Sequence, residues 1–216
     1  MSEKPLLCVL GASGSGKSTI CLELEQKYNL KQIPSYNTRK PHSENKSGHI
    51  FLSVEELKYI ENELFAYTGI TGTEYGVTCK QIDSEEYDLY VVDYTGLKNL
   101  LDNYKGKRKI VSVFIECPLS DRYERLNKRY AKQFETFKEA NQKTLECIVH
   151  DAGEFNLAKA SCDYVIDNHT GNFANAMMKV INICLENGII QSKEFNYAIC
   201  IWESFKRRIL HIRWRT

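Results

Sequence analysis

The chain has 216 residues, with 29 Lys and Arg against 28 Asp and Glu, a formal net charge of +1, 43% hydrophobic and 26% charged residues. These fractions exclude collagen-like, fibrous and wholly disordered chains and suit one globular domain with a sizeable core. So even a charge balance gives no argument for nucleic acid or a membrane surface as partner, and the longest apolar runs fall far short of the roughly 18 residues of a spanning helix.

Residues 1–5 have no long apolar stretch behind them, so no secretory signal is expected. The eight cysteines form no CxxC pair, and several sit inside apolar runs as small buried hydrophobes do. That usage points to a reduced, cytoplasmic protein rather than a disulfide or zinc framework. Strands are expected at 6–10, 65–68, 89–92, 110–115 and 164–166. Helical spacing runs through 19–28, 54–63 and 121–132. Strands alternating with helices predict an α/β fold, a doubly wound, mostly parallel sheet covered on both faces. The stretch from 35 to 75 breaks the alternation. Rich in Asn, Ser, Thr and Gly, it reads as a β-rich insertion or substrate lobe.

The strongest motif is Gly11-Ala12-Ser13-Gly14-Ser15-Gly16-Lys17-Ser18, which fits GxxxxGK[ST]. An apolar strand ends at Gly11 and a helix follows from Thr19, the setting this motif requires. Its glycines let the backbone curl so that several N–H groups face the phosphates of ATP, backed by the helix N-terminus. Lys17 supplies a point charge to the β- and γ-phosphates, and the Ser18 hydroxyl is a ligand for Mg²⁺. Asp93 closes the apolar strand 89–92 and is the acid expected to complete that metal site.

Two further segments, taken with the loop, carry a resemblance. They are Ser35-Tyr36-Asn37-Thr38-Arg39-Lys40-Pro41-His42-Ser43-Glu44, followed by Phe51, and Gly72-Thr73-Glu74-Tyr75-Gly76. They resemble the guanylate kinase family, whose pattern is a Ser, then TRxPRxxE, a short strand ending in Phe, and later GNxYG. Residues 113–118, 125–129 and 163–168 look like that family's fourth strand, lid helix and last strand. The resemblance runs in order from residue 5 to about 187. It implies a P-loop nucleoside-monophosphate-kinase fold, with a monophosphate-binding lobe at about 35–80 and a helical lid at about 118–145. The implied reaction moves the γ-phosphoryl of ATP, with Mg²⁺, to a nucleoside monophosphate.

Carried over by position, the resemblance implies that Ser35, Arg39 and Tyr75 grip the acceptor's monophosphate. A guanidinium and two hydroxyls suit a near-dianion. Departures stand beside these matches. His42 replaces the second Arg of TRxPR, and His49 falls where the family has its first phosphate-gripping Tyr. The family's two base contacts fall on Ala66 and Val77, which cannot pair with the N1–H and amino group of guanine, so base specificity is expected to be altered or relaxed. A shifted register would bring in Glu63, Glu74 or Thr78.

Arg122, Arg125 and Arg129 are spaced to share a helix face. Arg125 and Arg129 best match the family's lid helix, which implies that they neutralise charge as the phosphoryl group moves. A further family Arg is missing from 143–155, which implies either that Lys143 or His150 substitutes for it or that the catalytic electrostatics are weaker. Past residue 190 an aromatic extension ends in 206–215, with five positive charges and no acid. It reads first as an added helix docked on the body with its basic end exposed, and second as an interaction element for acidic partners, nucleic acid or anionic lipid. Two alternatives accompany the kinase reading: a guanylate-kinase-like binding module without turnover, which the intact loop argues against, and a kinase of another phosphorylated or 5′-hydroxyl substrate.

Overall fold

Alternate residues of the first strand serve opposite faces of a sheet, and that alternation organises the molecule. The computed structural model describes residues 3–38, 49–60, 63–70, 73–153 and 155–191, with the backbone alone at 66–70, 73–75 and 155. The elements run β1 (Leu6–Gly11), α1 (Lys17–Tyr28), β2 (Ser35–Asn37), β3 (His49–Phe51), α2 (Val54–Ile60), β4 (Leu64–Ile70), β5 (Thr73–Thr78) and α3 (Cys79–Asp83). They continue with β6 (Leu89–Val91), α4 (Tyr94–Asn103), β7 (Ile110–Glu116), α5 (Leu119–Tyr130), α6 (Phe137–Ala152), α7 (Phe155–Ser161), β8 (Tyr164–Asp167) and α8 (Phe173–Glu186).

The first sheet is parallel throughout, in the order β6-β1-β7-β8. Residues 31–33 extend it beside β6, with the Ile33 N–H donating to the Leu89 carbonyl at 2.7 Å. Leu7 and Val9 pack on one face with Ile20, Cys21 and Leu24 of α1 and Val180 and Cys184 of α8. Leu6, Cys8 and Leu10 pack on the other with Ile82 of α3, Leu97 and Leu100 of α4 and Ala158 of α7. Helices therefore cover both faces, as the near-continuous apolar strands demand. Because all four strands run the same way, their carboxyl ends meet at one edge, where open α/β sheets bind ligands.

The stretch that broke the alternation forms a second sheet in the order β3-β2-β5-β4. Here β2 pairs with β3 in parallel, while β2–β5 and β4–β5 are antiparallel. Val77 of β5 is fully buried among the residues of the second core face, with Phe65 beside it, so this lobe is seated on the main sheet. Residues 192–216, including the basic extension, lie outside the described residues, as do Arg39 and His42. Among the described residues no helix is long and apolar enough to cross a membrane.

Candidate active site

Gly11 ends β1 and Lys17 opens α1, so the motif forms the turn between them. The turn closes on itself through a Ser15 N–H to Ala12 carbonyl bond of 3.0 Å. The N-cap of α1 is Gly16, which offers no side chain to the first-turn N–H groups. Those donors and the positive end of the helix dipole are left for an anion. Among the described residues the N–H groups of Gly14, Gly16, Lys17 and Ser18 have no side-chain acceptor. Ser18 and Thr19 are exposed beside them.

Lys17 is folded back over its own loop, its Nζ donating to the carbonyls of Gly11 at 2.5 Å and Ala12 at 3.1 Å. Burial lowers its pKa to about 8; Asp151 and Cys21 oppose that shift, and Arg129 and Arg122 add to it. A cation held by carbonyls alone is poised to exchange them for phosphate oxygens.

Helix α5 lies directly on the loop. A Cβ on Gly14 would come within 3.0 Å of the Arg122 carbonyl and 3.1 Å of Leu126. The three arginines of the predicted face divide. Arg122 is buried, with Nε donating to the Ser13 carbonyl at 2.9 Å and Nη2 paired with Asp151 at 2.8 Å. Arg125 is half-buried and donates to the carbonyls of Gly14, Ser15 and Asn168 at 3.3, 3.4 and 3.0 Å. Arg129 is exposed and, among the described residues, its guanidinium makes neither hydrogen bond nor ion pair. It still adds to the field that lowers the Lys17 pKa.

Asp93 leaves β6 at the same edge as the loop, since the Val92 N–H donates to the Val9 carbonyl at 3.2 Å. Its Oδ1 accepts from the Gly96 N–H at 2.7 Å and caps α4. Among the described residues the other carboxylate oxygen has no such role. Ser18 and Asp93 offer hard oxygens, the donor type Mg²⁺ takes, so the residues fit that ion. Among the described residues no three His, Cys, Asp or Glu side chains gather as a metal site.

In the second lobe the buried Ser35 hydroxyl and the Nδ1 of the exposed His49 are hydrogen-bonded at 2.8 Å across the β2–β3 pair. Asn37, buried two residues on, shares their face and opposes Tyr75 of β5 in register. Val77 faces the core, and the neighbouring Thr78 is engaged in capping α3 by a reciprocal bond with Gln81. Glu63 pairs with exposed Lys80. Lys143 makes an exposed pair with Glu146 at 3.1 Å, and His150 stands 3.8 Å from Asp151.

Two contributors escaped the sequence reading. Asp151 accepts from the Ser13 N–H at 2.7 Å, and Asn168 donates to the Ser15 carbonyl at 2.7 Å. Asn168 had one signal, its place just past the last strand at the ligand-binding edge. Asp151 had none, since only folding brings α6 to a loop 138 residues away.

A model of the AAA domain family matches residues 7–146. A guanylate kinase of Clostridium acetobutylicum is 34% identical over 113 residues, 48% of this chain and 54% of that protein, about half its length. A guanylate kinase of Mesomycoplasma hyopneumoniae is 33% identical over 149 residues, 64% of this chain and 76% of that protein. The crystal structure of guanylate kinase from Anaplasma phagocytophilum shares the fold, with a TM-score of 0.57 at 19% identity over 88% of this chain and 89% of the other. A phosphate loop on a parallel sheet with an added β lobe defines the P-loop nucleotide-kinase class. Within that class, the chain belongs to the guanylate kinase family.

Proposed function

We propose that the protein is an ATP-dependent nucleoside monophosphate kinase of guanylate kinase type, converting GMP and ATP to GDP and ADP, with Mg²⁺ as cofactor. The observation that carries this reading is the intact loop, with Lys17 and the uncapped N-terminus of α1 at the carboxyl edge of the sheet. The relatives named above bear the same activity in their names.

Such a transfer asks little covalent chemistry of the protein; it asks for positioning and fixed charge. The amides of Gly14, Gly16, Lys17 and Ser18 and the Lys17 ammonium receive the β- and γ-phosphates, Lys17 leaving its loop carbonyls to do so. Ser35 and His49, with Arg39, His42 and Tyr75, hold the acceptor phosphate so that its oxygen faces the γ-phosphorus. Arg129 supplies charge from the lid, with Arg125 beside it. Ser18 and Asp93 would hold Mg²⁺, which would supply neutralisation of the charge developing on the phosphates. With Val77 turned into the core and Ala66 lacking a polar group, a changed preference among bases is part of the proposal. The reading is that of a cytoplasmic enzyme acting on free nucleotides.

The test is ADP formation from ATP and Mg²⁺ with GMP, comparing the natural protein with Lys17→Ala. Turnover that the substitution abolishes supports the reading. Turnover that survives it contradicts the assignment of the loop.

A further inference from the structure

We propose that Arg122 and Asp151 are positioning residues that hold the phosphate loop in its nucleotide-receiving shape from α5 and α6; the inference rests on the kinase reading above. Three bonds close a circuit around Ser13. Its carbonyl accepts from Arg122 Nε at 2.9 Å, its N–H donates to Asp151 Oδ2 at 2.7 Å, and Arg122 Nη2 meets the same carboxylate oxygen at 2.8 Å. The Ser13 hydroxyl adds a longer bond of 3.4 Å to Asp151 Oδ1.

These contacts fix two successive peptide planes, 12–13 through the N–H and 13–14 through the carbonyl. All of them are charge-assisted, the strong and directional kind. The pair is also sheltered, its side chains being 7% and 17% exposed. A buried ion pair is no efficient way to add stability, because apolar residues of similar volume commonly do as well. Its distinctive contribution is geometric. Ser13 is turned outward to the helices, while the amides from Gly14 onward are left without side-chain acceptors. A loop pre-set in this way loses less freedom when phosphates bind.

The circuit also joins the loop to the base of the α5–α6 hairpin. The legs of that hairpin are tied farther along by Tyr123 to Asn141 at 2.7 Å and by Tyr130 to Cys147 at 3.1 Å. Arg122 is thus engaged with the loop backbone, and charge toward the phosphates falls to Arg125 and Arg129.

The experiment uses the full chain with Asp151→Ala, Asp151→Asn, Arg122→Met and the double substitution Asp151→Ala with Arg122→Met. ATP with Mg²⁺ is titrated calorimetrically without acceptor; the KM for the nucleoside monophosphate and the melting temperature are measured alongside. Asp151→Ala is expected to weaken ATP binding about tenfold or more while the acceptor KM stays within about twofold. Asp151→Asn, which keeps an oxygen for the Ser13 N–H, should fall between. The double variant should be no worse than either single one, because the groups act as a unit. Affinity for ATP unchanged in the near-isosteric Asp151→Asn and in Arg122→Met would overturn the proposal. So would loss of ATP affinity and acceptor affinity in step with melting temperature. If the natural protein binds ATP yet phosphorylates no nucleoside monophosphate, the kinase reading fails while the binding measurements still decide the positioning role.

Discussion

The side-chain amide of Asn168 lies against Gly16, in the space that a Cβ at that position would fill. Gly16 also sits at φ 99°, in the left-handed region where an L side chain costs about 1–2 kcal/mol. Asn168, the residue that follows β8, therefore leaves no room for a side chain on the phosphate loop at this point. Gly16→Ala is expected to lower ATP affinity about tenfold or more in a binding titration, by moving the loop off Asn168. Binding within about twofold of the natural protein would show that the loop tolerates the shift.

Ser35 and His49 provide a complementary prediction in the other half of the site. Ser35→Ala and His49→Ala should each raise the acceptor KM about tenfold, removing one hydrogen-bond partner of a phosphate, and leave calorimetric ATP binding unchanged. A parallel loss of ATP binding would mean that the two lobes are not separate binding units.

At the opposite end of the sheet, buried Arg108 gathers five carbonyls. It donates to Lys4 at 2.6 Å, Ile82 at 2.9 Å, Ser84 at 2.8 Å and Pro5 at 3.3 Å, and also to Tyr87. Replacing it by Leu leaves several of these oxygens buried without donors. The expected cost is about 3 kcal/mol, a fall of roughly 6–12 °C in melting temperature. A change below about 1 kcal/mol would mean that water replaces Arg108 as the donor to these carbonyls.

Lys17 makes stability depend on pH in the nucleotide-free protein. Its pKa is lowered by burial from 10.5 to about 8, so the folded protein gives up this proton before the unfolded chain does. Between those values the unfolded state binds more protons, and stability rises with pH. Below the window the cost of the buried charge is present in full. Denaturant unfolding at pH 7.5 and 10 should show the natural protein gaining stability relative to Lys17→Met as pH rises. A constant difference between the two proteins would contradict the shift.

Much of the architecture was legible in the residues because it rests on local patterns. The apolar runs at 6–10, 89–92, 110–115 and 164–166 became the four parallel strands, and the glycine-rich loop fell between β1 and α1. The helix expected at 121–132 starts earlier, at Leu119, because Pro118 provides the turn into it. The expected β-rich insertion is a separate four-stranded sheet, although its mixed pairing could not be read from composition. Val77, on which the resemblance puts one of the family's base contacts, has an environment that the sequence alone could not show. Strand alternation turns it into the core beside Phe65, a fact set by where β5 rests on the main sheet. The arginine stripe was visible as spacing, but its division of labour depends on what faces each guanidinium. Asp151 and Asn168 reach the loop only through tertiary folding, and single-sequence periodicity holds no record of that.

The central claim is tested most directly by following the terminal phosphoryl group itself. ATP labelled at the γ-phosphate is incubated with Mg²⁺, the purified protein and, in turn, GMP, dGMP, AMP, CMP, UMP and dTMP, and the products are separated. The expected result is labelled nucleoside diphosphate from GMP or from another monophosphate of this panel, and none with Lys17→Ala. Label retained in ATP with every acceptor, from a protein that binds ATP, would contradict it.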